Sequence, residues 1–146
     1  MPMIDVYAAE GLFPPGCERK LGEALTHALL RAEGVATPGP THLNNTGFYL
    51  HVMPPERVQT AGSANARTVR VQVITPPAVL TRDGQRQLVK DATAIVAETA
   101  GDPEQAARTW VLLSEGAEGG WGIAGTAFGK EEFAALATAA AARSRG

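Results

Sequence analysis

What most constrains this chain is a pattern that runs through it twice. Met3-Ile4-Asp5-Val6-Tyr7 reads as a short strand that Gly11 and Pro14-Pro15 break off. From 16 to 33 the apolar residues Leu21, Ala24, Leu25, Ala28 and Leu29 recur at helical spacing, and Gly34 ends that helix. After a loop rich in Pro, Thr and Asn over 37–46, a second strand over 47–52 stops at Pro54-Pro55. The order then restarts. A strand over 68–74 is interrupted by Pro76-Pro77, and a helix over 81–99 follows, with Leu88, Val89, Ala92, Ile95 and Val96 expected on one face. Thr81 supplies its start and Gly101 its stop. A fourth strand covers 109–114. Gly119-Gly120-Trp121-Gly122-Ile123-Ala124-Gly125 comes next, then a C-terminal helix from about Lys130.

The chain therefore reads β-α-β twice. It is an α/β (α+β) protein with one fused domain over 1–146, a pseudo-repeat of 1–66 and 67–146. Each unit pairs its strands in parallel through a right-handed crossover. The result is a four-stranded sheet with two helices on one face. The opposite face is expected to carry Ile4, Val6, Leu50, Val71, Val73 and Leu112, uncovered in a single chain, which predicts an oligomer.

Composition narrows the function classes. The chain has 146 residues, 45% of them apolar, and a formal net charge of -2 with no basic block. A nucleic-acid partner is not expected, because phosphate binding needs a positive patch. The start has no signal-peptide pattern, and no stretch reaches the ~18 apolar residues of a membrane span. A soluble, cytoplasmic protein is the expectation. One cysteine, Cys17, allows no internal disulfide. Three scattered histidines and that cysteine do not make a metal site. The glycine run around Trp121 lacks the lysine and opening helix of a phosphate loop. No metal or cofactor is expected.

These pieces resemble the tautomerase superfamily, whose β-α-β units begin Met-Pro. The match is best in the second half. Its pieces are Val71-Gln72-Val73-Ile74, the helix over 85–99, Val111-Leu112-Leu113-Ser114-Glu115, and Trp121-Gly122-Ile123-Ala124-Gly125. The first half joins through Pro2-Met3-Ile4-Asp5-Val6 and its helix. The two-unit layout is similar to the fused members, such as the cis-3-chloroacrylic acid dehalogenases, which implies a homotrimer.

The resemblance implies that Met1 is removed and Pro2 becomes a secondary amine acting as general base. An α-amine titrates near about 7.7–8.0, and apolar burial lowers that value towards the working pH. Such a base moves a proton between carbons or oxygen next to a carbonyl. The expected activity is tautomerisation of a small α-keto, enol or unsaturated carboxylic acid. The alternatives are a hydratase, dehalogenase or decarboxylase of the same fold, or a catalytically silent oligomeric binding protein.

The family's arginines are not at their usual places. Aligned positions hold Leu80, Pro76, Val79 and Trp110 instead, and the dehalogenase histidine and tyrosine fall at Leu29 and Leu112. Substitute substrate-binding candidates are Arg82, Arg108 and Arg70, because a guanidinium binds a carboxylate in bidentate fashion. Trp121 matches the family's pocket aromatic, and His51 stands beside Tyr49 in the second strand. Glu115 aligns with a structural acid expected to hold a turn.

Overall fold

The computed structural model describes residues 2–146; Met1, whose removal is expected, lies outside the described residues. The elements run β1 (Met3–Ala9), α1 (Glu18–Ala32), α2 (Pro40–Asn44), β2 (Gly47–Met53), β3 (Val69–Thr75), α3 (Arg82–Ala100), β4 (Thr109–Glu115), β5 (Trp121–Ile123), β6 (Thr126–Phe128) and α4 (Lys130–Ser144). Short 3-10 turns occupy Pro55–Arg57 and Pro103–Arg108.

The main sheet has strand order β2-β1-β3-β4. Strand β1 is parallel to β2, with Met3 beside Gly47, and β3 is parallel to β4, with Val69 beside Thr109. The two units join by an antiparallel β1–β3 pair in which Met3 meets Ile74 and Tyr7 meets Arg70. Helices α1 and α3 lie side by side on one face of this sheet. Period-2 alternation on the strands and 3.6-residue spacing on the helices meet there. Ile4, Val6, Val69, Val71 and Val73 pack against Leu21, Leu25, Leu29, Leu88 and Val96. Each such fully buried aliphatic side chain contributes about 1.5–3 kcal/mol.

Local chemistry sets the helix ends. Gly34 has φ 84° just past α1. Thr81 caps α3, its Oγ1 accepting the Gly84 N–H at 3.0 Å, and Gly101 closes it in the left-handed region at φ 67°.

The assignment of faces needs correction. Ile4, Val6, Val71 and Val73 are buried beneath the helices, and Leu50 packs against that core. Of the residues expected on the open face only Leu112 is there, 46% exposed. The open face instead carries Tyr7, Tyr49, His51, Arg70, Ile74, Trp110 and Leu112, as the strand registers require. The expectation erred because most strands carry apolar residues at both parities, so alternation alone does not say which set the helices cover. The loop over 37–46 holds the short helix α2, too brief to show a periodicity. The glycine-rich segment after β4 forms a hairpin, with Trp121 opposite Phe128.

Candidate functional site

The site sits at the end of the sheet where β1 begins and β3 ends. Pro2 is buried, and its carbonyl accepts the Gly47 N–H at 3.0 Å. One step beyond the Met3–Ile74 pair, the antiparallel register sets Pro2 opposite Thr75, on the helix-covered side. Thr75 is 1% exposed, and its Oγ1 has no hydrogen-bond partner among the described residues. A buried hydroxyl without a partner is unusual in a folded protein.

The chain after Thr75 forms one wall of a cavity of about 610 Å³, within the roughly 300–1,000 Å³ of small-molecule sites. Pro76, Pro77 and Val79 provide that wall. Between them Ala78 takes φ 63°, a left-handed conformation that strains a residue with a Cβ. Its N–H donates to Glu115 Oε1 at 3.2 Å, so this acid does hold a turn. Helix α4 closes the opposite side with Phe133 and Leu136, the residues of that helix that are partly shielded along with Ala140.

Four ionisable or polar-ring side chains reach this apolar chamber. Glu33 follows α1, His42 belongs to α2, Glu118 precedes β5, and Lys130 opens α4. Glu33 Oε1 is buried with no partner among the described residues. Burial pushes the Glu33 carboxyl above the usual carboxylate range, while the positive amino terminus acts more weakly the other way. Glu118 Oε1 accepts the Lys130 backbone N–H at 2.7 Å, and so is occupied at the start of α4. His42 Nδ1 accepts the Gly39 N–H at 3.4 Å. Lys130 forms no ion pair among the described residues.

The residues singled out in the sequence do not gather here. Trp121 is 7% exposed and packs over Gly116, where an added Cβ would lie 3.2 Å from its ring, but it does not line the cavity. Arg82 is exposed at the first position of α3 and donates to Gln85 at 3.2 Å. Arg108 sits at the other end of the sheet, separated from Thr75 and Glu115 by the length of β4, about 20 Å at roughly 3.3 Å per residue. There it holds Asp102 at 2.8 Å and Gln105 at 3.2 Å. Arg70 and His51 belong to the open sheet face. His51 Nε2 is 2.7 Å from Asp5 Oδ1, the His51 ring stacks on Tyr7 at 4.3 Å, and the Arg70 guanidinium lies 4.4 Å above Tyr7. Sequence reading missed Glu33 and Lys130. Their one signal was position: each flanks a helix end next to a glycine, at Gly34 and Gly129.

Among the described residues no group of three metal-binding side chains occurs, and no helix is long and apolar enough to cross a membrane.

A sheet of two β-α-β units, with a buried proline just before its first strand and opposite the Thr75 that precedes the cavity wall, defines the architecture. Residues 69–131 match the family model described as Tautomerase enzyme. No curated protein matches the chain. Solved structures similar to it include the fused 4-OT wild-type symmetric trimer Q0, 20% identical, covering 85% of this chain and 93% of that one with a TM-score of 0.71. Pt0534 inactivated by 2-oxo-3-pentynoate is 22% identical over 88% of this chain and 97% of that one, with a TM-score of 0.74. N1, a member of the cis-3-chloroacrylic acid dehalogenase family, is 18% identical over 93% and 91%, with a TM-score of 0.69. At such identities the likeness is one of fold. The sequence match is confined to residues 69–131, in the second β-α-β unit, and the whole chain shares the fold of these solved structures.

Proposed function

We propose that the protein is a tautomerase whose general base is the Pro2 amine, freed by removal of Met1. The substrate is a small α-keto, enol or unsaturated carboxylic acid. The observation that carries this reading is the burial of Pro2 at the sheet end where Thr75, Pro76 and Pro77 lead into the cavity. A secondary amine there is poorly hydrated, which favours its neutral, basic form near neutral pH. The family match over residues 69–131 supports the same reading.

Chemically, the neutral Pro2 nitrogen takes a proton from the carbon next to a carbonyl and returns it to another atom of the same substrate. Lys130 is the cation placed to hold the substrate carboxylate, the task first assigned to Arg82, Arg108 and Arg70. Each chain has one such amine, because β3 begins inside the chain. The open sheet face, with Tyr49 and Trp110 56% and 49% exposed, supports assembly through that surface. A homotrimer is the proposed state, as in the fused trimer that the chain resembles in fold.

The test is turnover of an enol acid such as phenylenolpyruvate by protein whose mass shows Met1 removed. Pro2→Ala, or one residue added before Pro2, is expected to lower kcat/KM by about 10²-fold or more. Full activity in either variant would overturn the reading.

A further inference from the structure

We infer that Glu33 is the proton donor to the carbonyl oxygen of the substrate, and that the cavity takes an acid with one carboxylate and an apolar side chain. This rests on the tautomerase reading and deepens it. Three features of the cavity converge on it.

The first is the state of Glu33. Its Oε1 is buried and has no hydrogen-bond partner among the described residues, yet the side chain lines the chamber. An ionised carboxylate is costly in such a place, whereas a protonated one is not. The protonated group is also a hydrogen-bond donor without a protein acceptor, and a bound carbonyl oxygen supplies one. Such a donor gains strength as negative charge grows on that oxygen, which is the requirement for lowering a barrier.

The second is the charge inventory. The titratable groups facing Glu33 across the cavity are His42 from α2, Glu118 from the β4–β5 connection, and Lys130 from α4, and the positive amino terminus also acts on it; among the described residues the β3–α3 connection contributes Pro76, Pro77 and Val79. Glu118 is taken up by the Lys130 backbone N–H. His42 Nδ1 accepts the Gly39 N–H. Among the described residues Lys130 is the only lysine or arginine lining the chamber, enough for one carboxylate. No arginine lines it. A second substrate carboxylate would lie near Glu33 and Glu118 without a counter-charge.

The third is the wall. Val35, Val79, Phe133 and Leu136 offer an apolar surface suited to an aryl or branched alkyl substituent.

The step balances as follows. The C–H bond next to the carbonyl breaks and its proton passes to the Pro2 nitrogen, which becomes a secondary ammonium. The released pair forms the carbon–carbon double bond. The carbonyl π pair moves to oxygen, which takes the Glu33 proton and becomes the enol hydroxyl. Return of a proton from the Pro2 ammonium to the Glu33 carboxylate, through water, resets the site. The reverse direction runs the same transfers backwards.

The experiment is a pH profile of kcat/KM for phenylenolpyruvate with the unaltered protein, Glu33→Gln and Glu33→Asp. Two groups required in opposite states give a bell, whichever of the two has the lower pKa. Glu33→Gln leaves only the base, so the alkaline limb disappears and kcat falls by about 10²-fold with KM changed little. Glu33→Asp keeps an acid, so its alkaline limb persists at a reduced rate. A parallel assay with 2-hydroxymuconate, a dicarboxylate, is expected to give a kcat/KM at least about tenfold lower.

Glu33→Gln with near-normal kcat and an intact alkaline limb overturns the assignment, as does a Glu33→Asp protein that loses the limb. A dicarboxylate preference overturns the substrate class. If Pro2→Ala abolishes turnover while both Glu33 variants match the unaltered protein, the tautomerase reading survives and this inference alone fails. If unaltered protein lacking Met1 turns over neither acid, both fail together.

Discussion

A Cβ placed on Gly84 would lie 2.7 Å from the carbonyl oxygen of Ala32. The first turn of α3 and the last residue of α1 therefore meet backbone to backbone. The next residue after Ala32 is Glu33, so this contact helps fix where α1 releases the acid into the cavity. A main-chain oxygen has little room to retreat, because Ala32 belongs to a helix whose far side packs on the core. Gly84→Ala is expected to destabilise the protein by about 1–3 kcal/mol, read as a fall in Tm. Gly62→Ala, which meets nothing within 4 Å, is expected to stay within about 0.5 kcal/mol. Equal melting temperatures for the two variants would refute the close-contact argument.

The raised Glu33 carboxyl makes a separate prediction about stability. A carboxyl whose pKa is higher in the folded than in the unfolded state binds more protons when folded. Its unfavourable contribution is absent below the unfolded value of about 4.3 and develops as pH rises towards the folded value. Glu33→Gln should therefore melt higher than the unaltered protein at pH 8, by a few degrees, since about 1 kcal/mol moves Tm by roughly 2–4 °C for 150–250 residues. The difference should vanish near pH 4. A melting curve series across pH, read by circular dichroism, checks both the sign and the window. A variant that is less stable at pH 8 than at pH 4, relative to the unaltered protein, would contradict the burial of that carboxyl.

Much of the fold was legible because it is local. Thr81 and Gly101 mark α3 by capping chemistry, and Gly34 marks the end of α1. The parallel pairing of β1 with β2 and of β3 with β4 followed from two strand–helix–strand passes. The choice of sheet face was not legible. Tyr49 and Leu50, or Val111 and Leu112, are apolar neighbours of opposite parity, and only the docked helices decide which is covered. The site was harder still. Pro2 could be singled out as a candidate because a proline at a chain end would carry a secondary amine. Glu33 follows a helix and has the look of an ordinary surface acid; the cavity it lines is completed by α4, nearly a hundred residues later in the chain. Arg70 and His51 drew attention for good chemical reasons, yet they meet Tyr7 and Asp5 on the open face instead.

The division between cavity and scaffold cations can be tested directly. Lys130→Ala is expected to raise KM for a carboxylate substrate by about tenfold, the effect of losing roughly 1.4 kcal/mol of binding. Arg108→Ala should leave KM unchanged, because that side chain is committed to Asp102 and Gln105 at the far end of β4. It should instead lower stability by about 1 kcal/mol, as loss of a partly buried charged hydrogen-bond pair does. Steady-state kinetics beside thermal melts separate the two roles. A KM effect at Arg108 with none at Lys130 would reverse the assignment.

The open sheet face leads to a prediction about assembly. Trp110 and Leu112 stand two residues apart on β4, 49% and 46% exposed, with Ile74 of β3, opposite Ser114, diagonal to Leu112. Exposed apolar side chains grouped on one strand edge mark an association surface. The neighbouring strands add a polar layer, Asp5 with His51 and Arg70 over Tyr7, that can set the register of a partner without supplying most of the binding energy. Leu112→Asp places a charge in the middle of the apolar group while leaving the helix-covered core untouched. It is expected to weaken association by at least about 100-fold, since burying an unpaired carboxylate costs several kcal/mol. Sedimentation velocity at micromolar concentration should show trimers for the unaltered protein and mainly single chains for the variant, with the far-ultraviolet spectrum of both alike. Val89→Asp, a similarly exposed change on α3 away from the sheet face, should leave the assembly intact. A variant at Leu112 that sediments as the unaltered protein does would remove this face from the interface.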